Sequence, residues 1–498
     1  MGGKVTLVGA GPGDPKLLTL GAKDAIEKAD IVLYDRLVGS GILAMIPSDA
    51  ECIYVGKHAG NHVAPQNEIN KMILSHAKNG KHIVRLKGGD PYLFGRGAEE
   101  LEDIVDAEIE FEVIPGITSA IAVPAMAGIP VTHRNISSSV HIITAHKKRN
   151  EPLDIRFDEL AKLDGTLVFL MGVAELDSIS LGLINAGMSS KTSVALIMNG
   201  TTHRQRKLIT TLESLKKDAD AGGFSSPCVL VVGEVCKLSD KLDFRGKLLL
   251  SGVAVMTTRP RNRSSILSSK LRSLGCEVTE LPMIETMTVK MDNTIVQKLP
   301  TYDWIVFTSQ TGVEAFVENI VQNGLDIRKL SGCKFAVIGR ETEKALAKCG
   351  VISDFIPDVF DAEHLFDGLK DILLETDKIL LYRSAIGRKF LTEKLSQIVQ
   401  TVDDIPAYTT SSVNCKSEIF SPKVKDNEFD YVLFASGSAV DGFVEMVGDI
   451  DLGNVSAICI GEQTANKAGK YGMNVHVSDE VTIDSMIDKL LNLVGEKK

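Results

Sequence analysis

No C-x-x-C pair occurs among the eight cysteines (52, 228, 236, 276, 333, 349, 415 and 459). The histidines complete no zinc pattern with these cysteines either, so a reduced, cytoplasmic protein with no structural zinc is expected. No apolar run reaches roughly 18 residues, which argues against a membrane span. The start, MGGKVTLVGAGPGD, lacks a basic n-region and an apolar h-region, so export is not expected. An excess of cations is missing too: 55 Lys and Arg against 65 Asp and Glu leave a formal charge of -10. That balance argues against a nucleic-acid surface spread over the whole molecule and leaves room for a basic cleft inside an acidic body. What is present is an ordinary soluble composition, 44% hydrophobic and 24% charged. A chain of 498 residues exceeds what one hydrophobic core serves, so at least two domains are expected.

The stretch Arg85 to Gly97, RLKGGDPYLFGRG, follows the run His82, Ile83, Val84 and puts a Gly-Gly-Asp-Pro turn where a strand should end. Backbone N–H groups, the Asp90 carboxylate and three cations, Arg85, Lys87 and Arg96, are expected to meet at one sheet edge around a small charged ligand. Two glycines let a ligand approach the main chain with no Cβ in the way, Asp90 can accept hydrogen bonds from a ribose or an ammonium, and Pro91 sets the exit direction. A strand-to-loop turn with solvated charges has the same local pattern, so the neighbouring segments must decide.

Lys4 to Ala10 reads as a β run, followed by Gly11-Pro12-Gly13-Asp14-Pro15 and a stretch of helical spacing. This β-turn-α unit is not a dinucleotide fingerprint, because Pro12 removes one N–H and the G-x-G-x-x-G spacing is not met. Ile31 to Tyr34 delivers Asp35 and Arg36 to the carboxyl end of a strand, where open α/β sheets place ligands. Ile53 to Val55 does the same for Gly56, Lys57 and His58. Phe111 to Ile114 ends in Pro115-Gly116-Ile117-Thr118-Ser119-Ala120, a turn able to cap the helix that follows. Strands at 166–170 and 193–198 end in Met171-Gly172 and Asn199-Gly200-Thr201. Repeated ends of this kind suit a cleft between two α/β lobes.

In this order and spacing GAGPGDPKLLTL, YDRLV, RLKGGDPYLFGRG, PGITSA, FLMGV and NGT are similar to the motifs of the uroporphyrinogen-III C-methyltransferase family, over residues 1 to about 240. The resemblance implies the tetrapyrrole-methylase fold: two α/β lobes with S-adenosyl-L-methionine folded in the cleft, outside the Rossmann methyltransferase class. It implies cofactor contacts at Pro12, Gly88, Gly89, Asp90, Leu93, Thr118, Ser119, Met171 and Gly200. Asp35 and Lys57 match the family's base and acid; Lys57 could equally grip a substrate carboxylate. Tyr92, Leu93 and Ser119 depart from the commoner family residues but keep their size. The implied chemistry, attack of a pyrrole carbon on a sulfonium methyl, asks the protein to align two partners and exclude water. Removal of the pyrrole proton suits Asp35. A polycarboxylate substrate calls for cations at the cleft mouth, for which Arg36, His58, Arg85, Arg96, Arg134 and Arg204 are the candidates.

Residues 241–251 read as a linker, and from Val253 onward the signal is internal duplication. Arg259 in TTRPRNRSSILSSKL matches Arg383 in LYRSAIGRKFLTEKL, and Pro282 matches Pro406, each pair 124 residues apart. VFTSQTGVEAF is echoed by LFASGSAVDGF at an offset of 127, and AVIGRETEKALAKCG by ICIGEQTANKAGKYG at 122. Each copy ends β runs with Thr, Ser or Gly where a helix starts, which offers backbone N–H groups to anions. Arg259, Thr308, Ser309, Ser436 and Thr464 are therefore candidate substrate contacts; ordinary N-caps in a duplicated scaffold would read alike.

TRP, FTSxxxVEAF, IGxxT and PAYTT resemble uroporphyrinogen-III synthase over roughly 252 to 498. That resemblance implies closure of hydroxymethylbilane to a ring with inversion of the last pyrrole and loss of water. It also implies a two-lobed α/β fold, lobe one 252–283 plus 409–498 and lobe two 284–408. Tyr408 matches the family's tyrosine and would assist departure of the hydroxyl; a buried structural tyrosine is the other reading. Its repeat partner is Ile284, so the scaffold itself does not demand the hydroxyl. The loop 383–388 is less Gly-rich than in many relatives and Ala435 replaces the more usual Thr. Together the resemblances imply a bifunctional enzyme that makes uroporphyrinogen III and methylates it at C2 and C7 to precorrin-2, for sirohaem and corrinoid synthesis. No metal, nucleic acid or membrane is expected, and a homodimer through the first half is. The alternatives are a second half that only binds a tetrapyrrole, or a first half that is a cobalt-precorrin methyltransferase.

Overall fold

A computed structural model describes residues 2–56, 66–145, 153–259, 261–413 and 416–497. The first sheet takes β1 (Lys4–Gly9), β2 (Ile31–Tyr34), β3 (Glu51–Tyr54), β4 (His82–Lys87) and β5 (Glu110–Ile114) in the order β3-β2-β4-β1-β5. All neighbours are parallel. Its inner strands are buried almost end to end because helices cover both faces of such a sheet, and β2 is apolar and buried at every position. The strands therefore all point their carboxyl ends, and the loops that carry the motifs, to one edge.

The second sheet holds β6 (Val140–Thr144), β7 (Thr166–Leu170), β8 (Ser193–Met198), β9 (Arg206–Thr211) and β10 (Cys228–Val232) in the order β6-β7-β10-β8-β9. Here only β6 and β7 are parallel. A short helix at Ser239–Leu242 and a run of turns then lead to β11 (Ala254–Thr257) and β12 (Glu277–Glu280).

From β12 the chain enters β13 (Ile284–Thr288), β14 (Trp304–Phe307), β15 (Lys334–Val337), β16 (Lys378–Ser384) and the long β17 (Thr401–Ser412). It returns through β18 (Tyr431–Phe434), β19 (Ser456–Cys459) and β20 (Asn474–Val477). Residues up to 283 together with those from 414 form one compact unit, and 284–413 form another. The third sheet of the first unit is β12-β11-β18-β19-β20; the sheet of the second is β13-β17-β16-β14-β15, with β13 antiparallel to β17 from Ile284↔Ser412 to Thr288↔Tyr408.

The duplication read from sequence offsets is visible in strand order. By those offsets β16 and β17 correspond to β11 and β12, and β14 and β15 to β18 and β19; the orders β17-β16-β14-β15 and β12-β11-β18-β19 are then the same. β20 has a vestigial counterpart in the single parallel bridge between Ala336 and Phe355. Even the caps agree: Ser309 and Ser436 precede their helices at φ -162 ψ 154 and φ -162 ψ 156. Gly339 and Gly461 do so at φ -177 ψ 174 and φ -176 ψ 171. Among the described residues no helix is long and apolar enough to cross a membrane.

Candidate functional site

A cavity of about 480 Å³ lies at the carboxyl ends of β1, β2 and β4, and Pro12, Arg36, Gly88, Gly89, Ser119 and Gly200 line it. Its size falls within the range of small-molecule pockets, roughly 300–1,000 Å³. Main chain forms much of the wall. Gly11 and Gly89, both at positive φ (69° and 72°), exchange two hydrogen bonds, 3.1 Å from Gly11 N to the Gly89 carbonyl and 2.7 Å in return. This bridge stitches the turns after β1 and β4 together. A Cβ built on Gly89 meets nothing nearer than Ser119 N at 4.0 Å, so a side chain there would fill the cavity rather than the core.

Gly200 is required for a different reason. A Cβ on it would stand 2.3 Å from Val123 Cγ1, on the helix Ser119–Met126 that opens beside the cavity. Thr118 caps this helix, accepting from Ala120 N at 3.3 Å. Thr201 Oγ1 donates to the Pro12 carbonyl at 2.9 Å, which fastens the loop after β8 to the loop after β1.

The Asp90 carboxylate holds the main chain of its own loop. Its Oδ1 accepts from Tyr92 N (2.9 Å) and Leu93 N (3.1 Å), and its Oδ2 from Gly116 N (3.0 Å). The carboxylate builds the loop by satisfying three backbone donors. Asp35 likewise accepts from Leu37 N at 2.9 Å, shaping the turn that brings residues 36–40 to the cavity wall. Asp90, Leu93, Thr118, Met171 and Asp35 stand beside the lining rather than in it. Met171 is half exposed at a left-handed φ of 58°.

The cations divide. Arg36 and Arg204 line the cavity. Arg85 does not: it is 4% exposed, its Nε lies 3.2 Å from Glu100 Oε2, and its Nη1 donates to the Leu86 carbonyl at 3.0 Å. Strand alternation puts Arg85 and Lys87 on the same face of β4, and Glu100, in the first turn of the helix Gly97–Asp106, reaches both. Burial, then the neighbouring Arg85 charge, push the Lys87 ammonium below its ordinary pKa, against the pull of Glu100. Arg96 is exposed at the left-handed N-cap of that helix and pairs with Glu99, and Arg134 is exposed outside the lining. Lys57 and His58 lie outside the described residues.

Lining residues that escaped the sequence reading include His203 and, from far along the chain, Glu277, Lys423 and Glu428. The last three belong to the unit that contains the cavity, but come from the second half of the sequence. No local motif marks them.

In the 284–413 unit, Tyr408 Oη lies 3.1 Å from Ser309 Oγ, which also accepts from Gly312 N at 3.0 Å to cap the helix Gln310–Gln322. Thr308 and Ser309 sit at the end of β14, beside β16, where the strand order reverses. In the other unit, Arg259 follows the end of β11 and Ser436 that of β18, the corresponding reversal. Ser436 Oγ accepts from Ala439 N at 3.2 Å. Thr464 is buried in the first turn of the helix Glu462–Lys470, so its side chain serves packing there.

Residues 4–216 match the family model of the tetrapyrrole (corrin/porphyrin) methylases, and residues 265–488 that of uroporphyrinogen-III synthase HemD. The porphyrin biosynthesis protein HemD of Ruminiclostridium josui is 42% identical over 496 residues, 99% of this chain and 98% of its own. The S-adenosyl-L-methionine-dependent uroporphyrinogen III methyltransferase of Methanosarcina barkeri is 51% identical over 241 residues, 48% of this chain and 94% of its own. A crystal structure of the uroporphyrin-III C-methyltransferase of Thermus thermophilus with S-adenosyl homocysteine superposes at a TM-score of 0.41, with 35% identity, over 47% of this chain and 99% of that one. The chain belongs to the family of the Ruminiclostridium HemD protein, in which a tetrapyrrole methylase is fused to a uroporphyrinogen-III synthase.

Proposed function

We propose that the 480 Å³ cavity of the first half binds the methyl donor S-adenosyl-L-methionine beside uroporphyrinogen III. The chain is a bifunctional enzyme of tetrapyrrole biosynthesis: its second half, 252–498, closes hydroxymethylbilane to uroporphyrinogen III, and its first, 1–240, methylates that product to precorrin-2. The observation that carries the donor site is the glycine-lined wall at Gly88, Gly89 and Gly200, where added side chains would occupy ligand space or displace a neighbour.

S-adenosyl-L-methionine supplies the electrophilic methyl group when bound. Pro12, Gly88, Gly89, Ser119 and Gly200 would hold it, with Asp90, Leu93 and Thr118 fixing the loops behind them. Arg36 and Arg204 would hold substrate carboxylates. Asp35, one residue before Arg36, would take the pyrrole proton. In the second half, Tyr408, held by Ser309, would donate a hydrogen bond to the departing hydroxyl. The family resemblance further supports pairing of two copies through the first half and a cytoplasmic setting.

The test is to give purified protein hydroxymethylbilane and S-adenosyl-L-methionine together, then each alone, and follow products by absorbance and mass. Ring closure without donor, followed by two methyl additions on adding it, is expected. A ring that stays unmethylated in the presence of donor would remove the assignment of the first half.

A further inference from the structure

β12 is an edge strand of its sheet, and its first residue, Glu277, reaches into the wall of the cavity. The carboxylate is turned to the loop that follows β8. Its Oε2 accepts from His203 N at 2.6 Å and from His203 Nδ1 at 2.8 Å. Because Nδ1–H is the donor there, the other ring nitrogen is free to accept, and Arg204 Nε donates to His203 Nε2 at 3.1 Å. Arg204 and Gly200, on this same loop, both line the cavity. The linker adds to the arrangement: Arg245 Nη2 donates to the Thr202 carbonyl at 3.2 Å, and its charge acts on Glu277.

The pair is well removed from water, His203 being 11% and Glu277 18% exposed at the side chain. A neighbouring contact repeats the pattern. Glu428, which takes Lys423 Nζ at 2.9 Å, also accepts from Ser40 Oγ, on the turn that follows Asp35. The second half thus grips two of the loops that face the cavity, the one after β2 and the one after β8.

We propose that Glu277, a residue of the second half, is a positioning residue of the methyl-donor cavity: through His203 it holds the loop 199–204 in the shape that binds the donor. The inference rests on the donor reading given above. Its consequence is that donor affinity in the first half is set in part by a strand of the second.

The experiment uses the full chain and S-adenosyl-L-methionine as the probe, with binding measured by calorimetry and methyl transfer by steady-state kinetics. Glu277→Ala and His203→Ala should each raise the donor Kd about tenfold, the scale of one lost charge-assisted hydrogen bond. The double variant should be no worse than the weaker-binding single one, because both remove the same contact. Glu277→Asp should recover part of the affinity, and kcat at saturating donor should stay close to that of the wild type. If Glu277→Ala does not fold, Glu277→Gln, of nearly the same volume, gives the same comparison. A donor Kd within about twofold of wild type in either single variant, or effects that add, overturns the proposal. Failure of the wild-type chain to bind the donor would instead sink the donor reading, and the two results are told apart by the wild-type titration.

Discussion

At the scale of single residues, the site separates groups that build loops from groups that face the cavity. Asp35 does the first through Leu37 N and is proposed to do proton transfer as well. Asp35→Asn keeps an oxygen for that backbone donor, so donor binding should survive while methyl transfer slows on the order of 10²-fold or more. Unchanged turnover in a single-turnover assay would remove Asp35 as the base. Glu100 is the buried counter-charge of Arg85 and Lys87. Glu100→Ala should cost about 3–5 kcal/mol in urea unfolding, since two cations would be left buried without it. Burial raises the Glu277 carboxyl, but the hydrogen bonds from the His203 side chain and backbone, with the Arg245 charge, outweigh it and leave the group below its ordinary value of 4.5. The stability it contributes is therefore complete above that value and is lost as pH falls through the lower folded one. The gap in unfolding free energy between wild type and Glu277→Gln should narrow on acidification below about 4.5; a constant gap would mean the carboxylate charge is not what stabilises the contact. The burial of Arg85 has a signature in the sequence. Arg85 and Lys87 share a face of one strand, and a carboxylate in the first turn of the next helix is the ordinary way to bury two such cations.

At the scale of elements, the loops work because strand ends and helix starts are locked by very short approaches. Gly200 against Val123 is one of these. Gly200→Ala should push the helix Ser119–Met126 away, costing about 1–3 kcal/mol and weakening donor binding. Val123→Ala in the same chain should restore both, and failure of that rescue in thermal melts would show that the clash is not with Val123. The apolar run ending at Tyr34 was legible because an inner strand covered on both faces writes itself as a continuous hydrophobic stretch. The caps at Thr118, Ser309 and Ser436 were legible as Ser or Thr before a helical run. The duplication was readable from offsets alone, and strand order then reproduced it. Glu277, Lys423 and Glu428 were not legible, because a wall residue supplied from far along the chain leaves no local pattern.

At the scale of the molecule, two reactions share one chain while their proposed residues stay apart. Tyr408→Phe removes a hydroxyl beside Ser309 in the 284–413 unit, whereas the cavity lies in the other. Ring closure by this variant should slow, and methylation of supplied uroporphyrinogen III should proceed at the wild-type rate. An unaffected closure rate would return Tyr408 to a packing role. The order of the strands also bears on how such a chain is made. β11 is completed near residue 257, but its inner partner β18 begins at Tyr431, so Val255 must wait for Tyr431 before the sheet can close. While the ribosome works through the intervening residues, β11 has only β12 beside it and its other side is bare. A nascent chain released in that interval carries an apolar strand edge ready to pair with a neighbour, and late truncations should surface as aggregates rather than as half-active enzyme.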